Sequence, residues 1–279
     1  MRLRRIVIML DGSPSDGPLL RQGVGLCREH EARLDALFVR RNLASGADFL
    51  GDSFSTYGME AVLEALADAA AKASAAAHAA FETVADEADE AVIGKFIEYI
   101  GLPEEALADE GRLCDLFVMA KPEGRAGAAA LQSISMAATR SGRPVLLLPA
   151  ERDPEAGFKR MAIAWDGSLE AMRAMVGAMP MLQAADAVAV LRAGRGAEAS
   201  DQLAEVAAYL DLHCVTAATS TIALEGRSAS EVLIDAATAD HTDLLVMGGF
   251  GAPILLRALG RDETTSLIDG TSFAVLLAH

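Results

Sequence analysis

The sequence is poor in the residues that staple small folds or hold metals. It has three cysteines in 279 residues, Cys27, Cys114 and Cys214, far apart and without a Cys-x-x-Cys pair. That excludes a disulfide framework and a zinc ribbon. Cys27 and Cys114 lie in apolar stretches and read as small buried hydrophobes. The five histidines, His30, His78, His213, His241 and His279, form no pair at ligand spacing, so no metal site is expected. Positive charge is scarce: 24 Lys and Arg stand against 40 Asp and Glu, a net charge of −16. Nucleic acid and anionic membranes both recruit a basic face, so neither suits this chain as a partner. Long apolar runs are missing too. The run Ile6 to Leu10 is too short for a signal-peptide core, and no stretch approaches the roughly 20 residues that span a bilayer. This composition reads as a cytoplasmic protein. There is no Gly-Lys-Ser/Thr of a Walker A loop and no Gly-x-Ser-x-Gly elbow.

The most informative stretch runs from Asp243 to Arg261. Leu244 to Met247 form a continuous apolar run, as expected of a strand buried on both faces of a parallel sheet. Gly248, Gly249 and Gly251 come next, and Pro253 stands where a helix would begin. Strand, glycine turn and helix in that order can wrap a phosphate with backbone N–H groups, or can simply make a tight turn.

The chain also repeats itself. Ile6-Val-Ile-Met-Leu-Asp-Gly-Ser13 matches Met161-Ala-Ile-Ala-Trp-Asp-Gly-Ser168. Leu116 to Ala120 resembles Leu244 to Gly248, and Pro144 to Leu148 resembles Phe273 to Leu277. The reading is therefore two domains, 1–150 and 158–279, joined by the polar segment from Glu151 to Gly157. From Ile6 to Leu116 the first copy spans 110 positions, and from Met161 to Leu244 the second spans 83, so the first carries 27 more. The surplus is placed in 42–91: a loop over Asn42 to Gly58, then a long Ala-rich helix over about Met59 to Asp89. The region from Glu60 to Glu110 holds 13 acidic and two basic residues, read as a solvated helix face.

In the first copy a helix is expected over Pro18 to Arg28. In the second copy, strands are expected at 161–165, 186–192, 214–223, 244–248 and 273–278, with helices at 169–182, 197–212, 228–240 and 253–260. Alternating strands and helices give an α/β fold with a parallel sheet covered on both faces. Ligands then bind at the carboxyl ends of the strands, where the strand order reverses. If the first and fourth strands of a copy are neighbours, Asp166 and the glycine turn face one crevice. Ser13 and Ser168 suit caps or near-caps of the helices after them; as nucleophiles they lack a histidine partner. Trp165, the one tryptophan, is either core or one wall of the crevice. The apolar terminal strands, Pro144 to Leu148 and Ser272 to Ala278, are edges that call for a partner, so the two copies are expected to pair through them.

On these residues the chain resembles a tandem member of the universal stress protein family. The resemblance implies two copies of a five-stranded parallel sheet flanked by helices, of the Rossmann-like, adenine-nucleotide α-hydrolase-like kind, with the copies pairing as an internal pseudo-dimer. It implies a stress-response protein rather than an enzyme, with no catalytic residue assigned. Nucleotide-binding members carry Gly-x2-Gly-x9-Gly-(Ser/Thr) around the phosphates of ATP and an Asp near the nucleoside. Carried over, the second copy supplies Asp166, Met247, Gly248, Gly251 and Gly260, with ATP and Mg as its ligands. Two departures stand out: eight residues rather than nine separate Gly251 from Gly260, and Arg261 replaces the hydroxyl residue. Removing one residue from a helix rotates every later position by about 100°, while Arg261 could grasp a phosphate as a charged fork. In the first copy Asp11 and Met119 match, but Ala120 replaces the first glycine and no third glycine stands at the right distance beyond Gly124 and Gly127. Its motif is therefore read as degenerate, Asp11 as a structural cap, and Lys121 and Arg125 as anion contacts or ordinary surface charges. The alternative reading is a nucleotide-independent interaction module of the same fold, meeting other proteins or a second copy of itself through the acidic helix.

Overall fold

A computed structural model describes residues 2–41, 56–123, 127–194, 197–250 and 263–279. The first half runs β1 (Arg5–Leu10), α1 (Asp16–His30), β2 (Arg33–Arg41), α2 (Thr56–Glu87), β3 (Ile93–Gly101), α3 (Pro103–Gly111), β4 (Leu116–Ala120), α4 (Ala128–Arg140) and β5 (Val145–Leu148). The second runs β6 (Arg160–Ala164), α5 (Leu169–Leu182), β7 (Ala187–Ala193), α6 (Ala197–Leu212), β8 (Ala217–Ile222), α7 (Ala229–Ala239), β9 (Leu244–Gly248), α8 (Glu263–Gly270) and β10 (Ala274–Ala278). All ten strands form one sheet in the order β3-β2-β1-β4-β5-β10-β9-β6-β7-β8. Every pairing is parallel except β5 with β10, where Leu146 faces Leu276 in an antiparallel register. The expected pairing of the two copies through their last strands is thus present. It fuses two five-stranded sheets of the same order into one.

The central strands are apolar along their whole length because both faces are covered. Ile6, Ile8, Leu244 and Val246 point into one core, under α1, α2, α5 and α6. Val7, Leu245 and Met247 point into the other, under α3, α4, α7 and α8. The alternation reflects the period of two in a strand.

The repeat extends to polar atoms. Asp115 Oδ2 accepts from the backbone N–H groups of Arg4 and Arg5 at 2.8 and 2.9 Å. Asp243 Oδ2 accepts from those of Lys159 and Arg160 at 2.8 and 3.1 Å. Each carboxylate ties the start of a copy's fourth strand to the start of its first. The arginine at each first strand is anchored beside it: Arg5 reaches Asp35 (2.7 Å) and Glu110 (2.5 Å), and Arg160 reaches Asp240 (2.6 Å).

The inserted helix begins at Thr56, before the expected Met59, and ends at Glu87. Residues 42–55 of the expected loop lie outside the described residues. Its second half is not merely a solvated face. Ala77, Phe81 and Val84 enter the core, Ser74 Oγ donates to Glu98 at 2.8 Å, and His78 lies edge-on to Phe96 at 4.7 Å. Val62 and Leu66 of its first half remain exposed. The segment between the copies docks on α1. Gln22 donates to the carbonyl of Pro149 at 2.9 Å, Arg28 meets Glu155 at 3.1 Å, and Arg152 lies 4.2 Å over the buried ring of Phe158.

Candidate functional site

In each half the strand order reverses between the first and fourth strands. Ile8 is registered with Val118, and Ala164 with Met247. The residues just past these strands therefore meet at one carboxyl end, the usual ligand position of such sheets. Asp11 and Asp166 both stand there. Each accepts from the backbone N–H two residues on, Ser13 and Ser168 respectively, at 2.9 Å. Asp11 and Asp166 thus make the same Asx turn. Gly12 and Gly167 come next with φ of 81° and 82°, which a glycine adopts without strain.

The two serines then differ. Ser168 caps α5, its Oγ accepting from Ala171 N at 3.1 Å. Ser13 is a near-cap only: α1 starts earlier than expected, with Ser15 at the cap position, and the Ser13 Oγ accepts from Ser15 N at 3.4 Å and pairs with the Ser15 hydroxyl at 2.6 Å.

In the second half Gly248 is where the sequence predicts it, at the end of β9, with Met247 buried beside it. Its lack of a side chain has a packing cause. A Cβ there would lie 2.6 Å from Ala171 N and 2.8 Å from Glu170 Cβ, so the first turn of α5 rests directly on this glycine. The next two backbone donors are already engaged. Gly249 N–H donates to Ala278 O at 2.9 Å, and Phe250 N–H to Thr264 Oγ1 at 3.3 Å. This part of the turn does not offer the outward N–H groups expected of a phosphate wrap. Gly251, Gly260, Arg261 and the expected helix at 253–260 lie outside the described residues. Trp165, half-buried, packs against the core, and its Nε1 is buried without a partner among the described residues.

The first half presents two adjoining hollows at the same position. One of about 290 Å³ is lined by Met9, Asp11, Phe38, Val39, Met119 and Ala120, among others. The other, about 260 Å³, shares Asp11 and Ala120 and adds Gln22 and Lys121. The three residues carried over to this copy, Asp11, Met119 and Ala120, thus line one cavity. Its lining is apolar on the β2 and β4 side and acidic at the end of β1. Asp16, which sequence reasoning passed over, accepts from the N–H groups of Asp11 and Gly12 at 3.2 and 2.8 Å. Burial pushes its carboxyl up to about 6, against the pull of those two bonds. A carboxylate at the start of a helix, after two serines and a proline, was the available signal.

Lys121 corrects the expectation of a surface charge. It is buried, and its Nζ donates to the carbonyl of Thr271 at 2.6 Å, in the other half of the chain. Burial lowers its pKa, and Asp269 opposes the shift. Arg125 lies outside the described residues. Among the described residues no group of three His, Cys, Asp or Glu could hold a metal ion, and no helix is long and apolar enough to cross a membrane.

A sequence model of the universal stress protein family matches residues 2–149. No curated protein matches the chain by sequence. Among solved structures, a universal stress protein from Archaeoglobus fulgidus DSM 4304 superposes with a TM-score of 0.69 at 12% identity, over 99% of this chain and 96% of that one. A candidate universal stress protein from Pseudomonas aeruginosa UCBPP-PA14 gives 0.58 at 13% identity over 99% and 93%. PA1789 from Pseudomonas aeruginosa PAO1, of unknown function, gives 0.55 at 14% over 99% and 92%. At these identities the structures speak to the fold, and it is the match over more than half of its length that decides the kinship: the chain belongs to the universal stress protein family.

Proposed function

We propose that the chain is a stress-response protein of two domains, 1–150 and 158–279, that binds ATP or a related adenine nucleotide in the crevice of the second. Asp166 stands at the nucleoside end, Met247 and Gly248 form the floor, and Gly251, Gly260 and Arg261 supply the phosphate end. The observation supporting this reading is the β6–β9 register, with Ala164 opposite Met247 at the reversal of strand order. The function is binding: no residue has a catalytic role, and Mg would arrive with the phosphates. Titration of the purified chain with ATP and Mg in a thermal melt tests it. Ligand at about 100 times its dissociation constant adds roughly 2.7 kcal/mol of stability. A saturable rise in Tm that Gly251→Asp abolishes is the expected result.

The second reading is a nucleotide-independent interaction module. It is favoured by the donors of Gly249 and Phe250, already spent on Ala278 and Thr264. It predicts no shift at any ATP concentration found in cells. A rise in Tm that survives Gly251→Asp would move the ligand to the hollow lined by Asp11, Met119 and Ala120.

A further inference from the structure

The ten-stranded sheet ends on two unlike edges. β3 carries Lys95 and Glu98, and Glu98 is bonded to Arg40 and to Ser74 of α2. Charges and a covering helix are the usual guards of an edge strand. β8, at the other end, reads Ala-Ala-Thr-Ser-Thr-Ile, with no charge and no proline. Ala217 and Ile222, at its ends, pack on the two cores, while Ala218, Thr219, Ser220 and Thr221 between them are all exposed. Exposed apolar groups flank it: Leu212 (82%), Leu224 and Tyr209 (37% each).

The backbone of this edge has a definite phase. Ile222 O accepts from Gly194 N at 2.9 Å, so Ile222 faces β7. The β7–β8 register runs without a bulge from Val188↔Ala217 to Ala193↔Ile222. Ser220 and Ala218 therefore also bond toward β7, and the N–H and C=O groups of Ala217, Thr219 and Thr221 point away from the sheet.

We propose that β8 is an association edge whose partner is a second copy of this chain, paired antiparallel about a two-fold axis at Thr219. In an antiparallel ladder, residues that exchange both hydrogen bonds must both point outward. Centring on Thr219 uses the outward set completely, with Thr219 opposite Thr219 and Ala217 opposite Thr221. A slip of one residue breaks the phase, and a slip of two leaves an outward residue of the strand pairing beyond its end. The same register puts Ala218 opposite Ser220 and Thr216 opposite Ile222, and brings Leu224 toward Cys214. Hydroxyl residues meet at the axis, small residues face small or polar ones, and no like charges oppose across the strands. Such an interface is isologous and closes at two copies. It would also join two sheets edge to edge, as β5 and β10 already do within one chain.

Sedimentation equilibrium on the full chain from about 1 to 200 µM tests this. The expected result is a concentration-dependent rise toward twice the 29.1 kDa of one chain. Thr219→Pro removes an N–H that β7 does not use, so the chain's own ladder survives while the dimer weakens at least tenfold. Thr219→Lys sets two like charges at the axis and does the same, and folding of both variants is verified by their melts. In a Cys214→Ser background, Ala218→Cys combined with Ser220→Cys should form a disulfide-linked dimer on oxidation, because these two positions face each other as a non-hydrogen-bonded pair with Cα atoms about 4.5 Å apart. A chain that stays monomeric over the whole range overturns the proposal. So does a dimer whose dissociation constant is unchanged by both substitutions.

Discussion

The ammonium of Lys121, at the end of β4, donates to the carbonyl of Thr271, in the turn before β10, at 2.6 Å. The two residues are 150 positions apart and belong to different copies of the repeat. Thr271 is itself buried, and its hydroxyl donates to Leu267 O at 3.0 Å. Lys121→Ala leaves a buried carbonyl without its donor, which costs about 1–3 kcal/mol. Urea unfolding should show a lower midpoint with an unchanged slope. Glu123→Ala, two residues on and exposed, should stay within about 0.5 kcal/mol of the parent.

The segment between the copies is seated against a bare backbone. A Cβ on Gly25 of α1 would lie 1.9 Å from the carbonyl oxygen of Pro154, and nothing on a flexible side chain can yield there. Gly25→Ala gains helix propensity but must push 153–155 away from α1. A net loss of about 1–3 kcal/mol is expected, together with faster protease cleavage in that segment. Gly127→Ala is the contrast: a Cβ at Gly127 meets nothing within 4 Å among the described residues, so its loss should be limited to the weaker N-cap that alanine gives α4, about 0.5–1 kcal/mol, with no change in protease cleavage at 153–155.

The second half was legible nearly to the residue where local signals agree. The helix at 169–182 begins at a working Ser168 cap, and α7 starts from a Ser228–Glu231 capping box. β9 is an apolar run ended by glycines. β8 proved shorter than expected because Cys214, with φ of 61°, belongs to the turn leaving α6. The meeting of Asp11, Met119 and Ala120 around a hollow is a consequence of the repeat and the strand order. What the sequence could not carry is where a polar group finds its partner across the fold. Lys121 looked like a surface charge because Thr271 is remote in the chain. The donors of Gly249 and Phe250 looked available because their acceptors, Ala278 and Thr264, come from later elements. The acidic helix does turn its acid to solvent, with Glu64, Asp68, Glu82, Asp86 and Glu87 all exposed; what its alanines hid is the narrow buried stripe of Ala77, Phe81 and Val84 on the other face.

Thiol reactivity should separate the three cysteines. Burial pushes the thiols of Cys27 and Cys114 up to about 12 each, and both side chains are enclosed. Cys214 is exposed. Since the thiolate is the nucleophile, a disulfide reagent at pH 8 should titrate one thiol per native chain within minutes and three in denaturant. Cys214→Ser should remove the fast reaction alone. Rapid modification of a second thiol in the native protein would contradict the enclosure of Cys27 and Cys114.

Asp16 should give the chain a stability that declines as pH rises. Its carboxyl moves from 3.8 to about 6 on folding, chiefly by burial. The folded state thus holds the proton more tightly than the unfolded one, so the stabilisation is complete below about 3.8 and is lost as pH passes through 6. A change of that size corresponds to roughly 3 kcal/mol; solvent at the mouth of the hollow screens part of it, leaving about 1–2 kcal/mol. Asp16→Asn keeps an oxygen for the N–H of Gly12 and carries no charge. Relative to the parent it should gain about 1–2 kcal/mol between pH 4 and pH 7, read from urea unfolding of both proteins at each pH. Titrating groups remote from Asp16 cancel in the difference; Asp11, which interacts with Asp16 directly, does not. A difference that stays flat across that window would mean that Asp16 is ionised throughout, held by its two backbone donors rather than penalised by its burial.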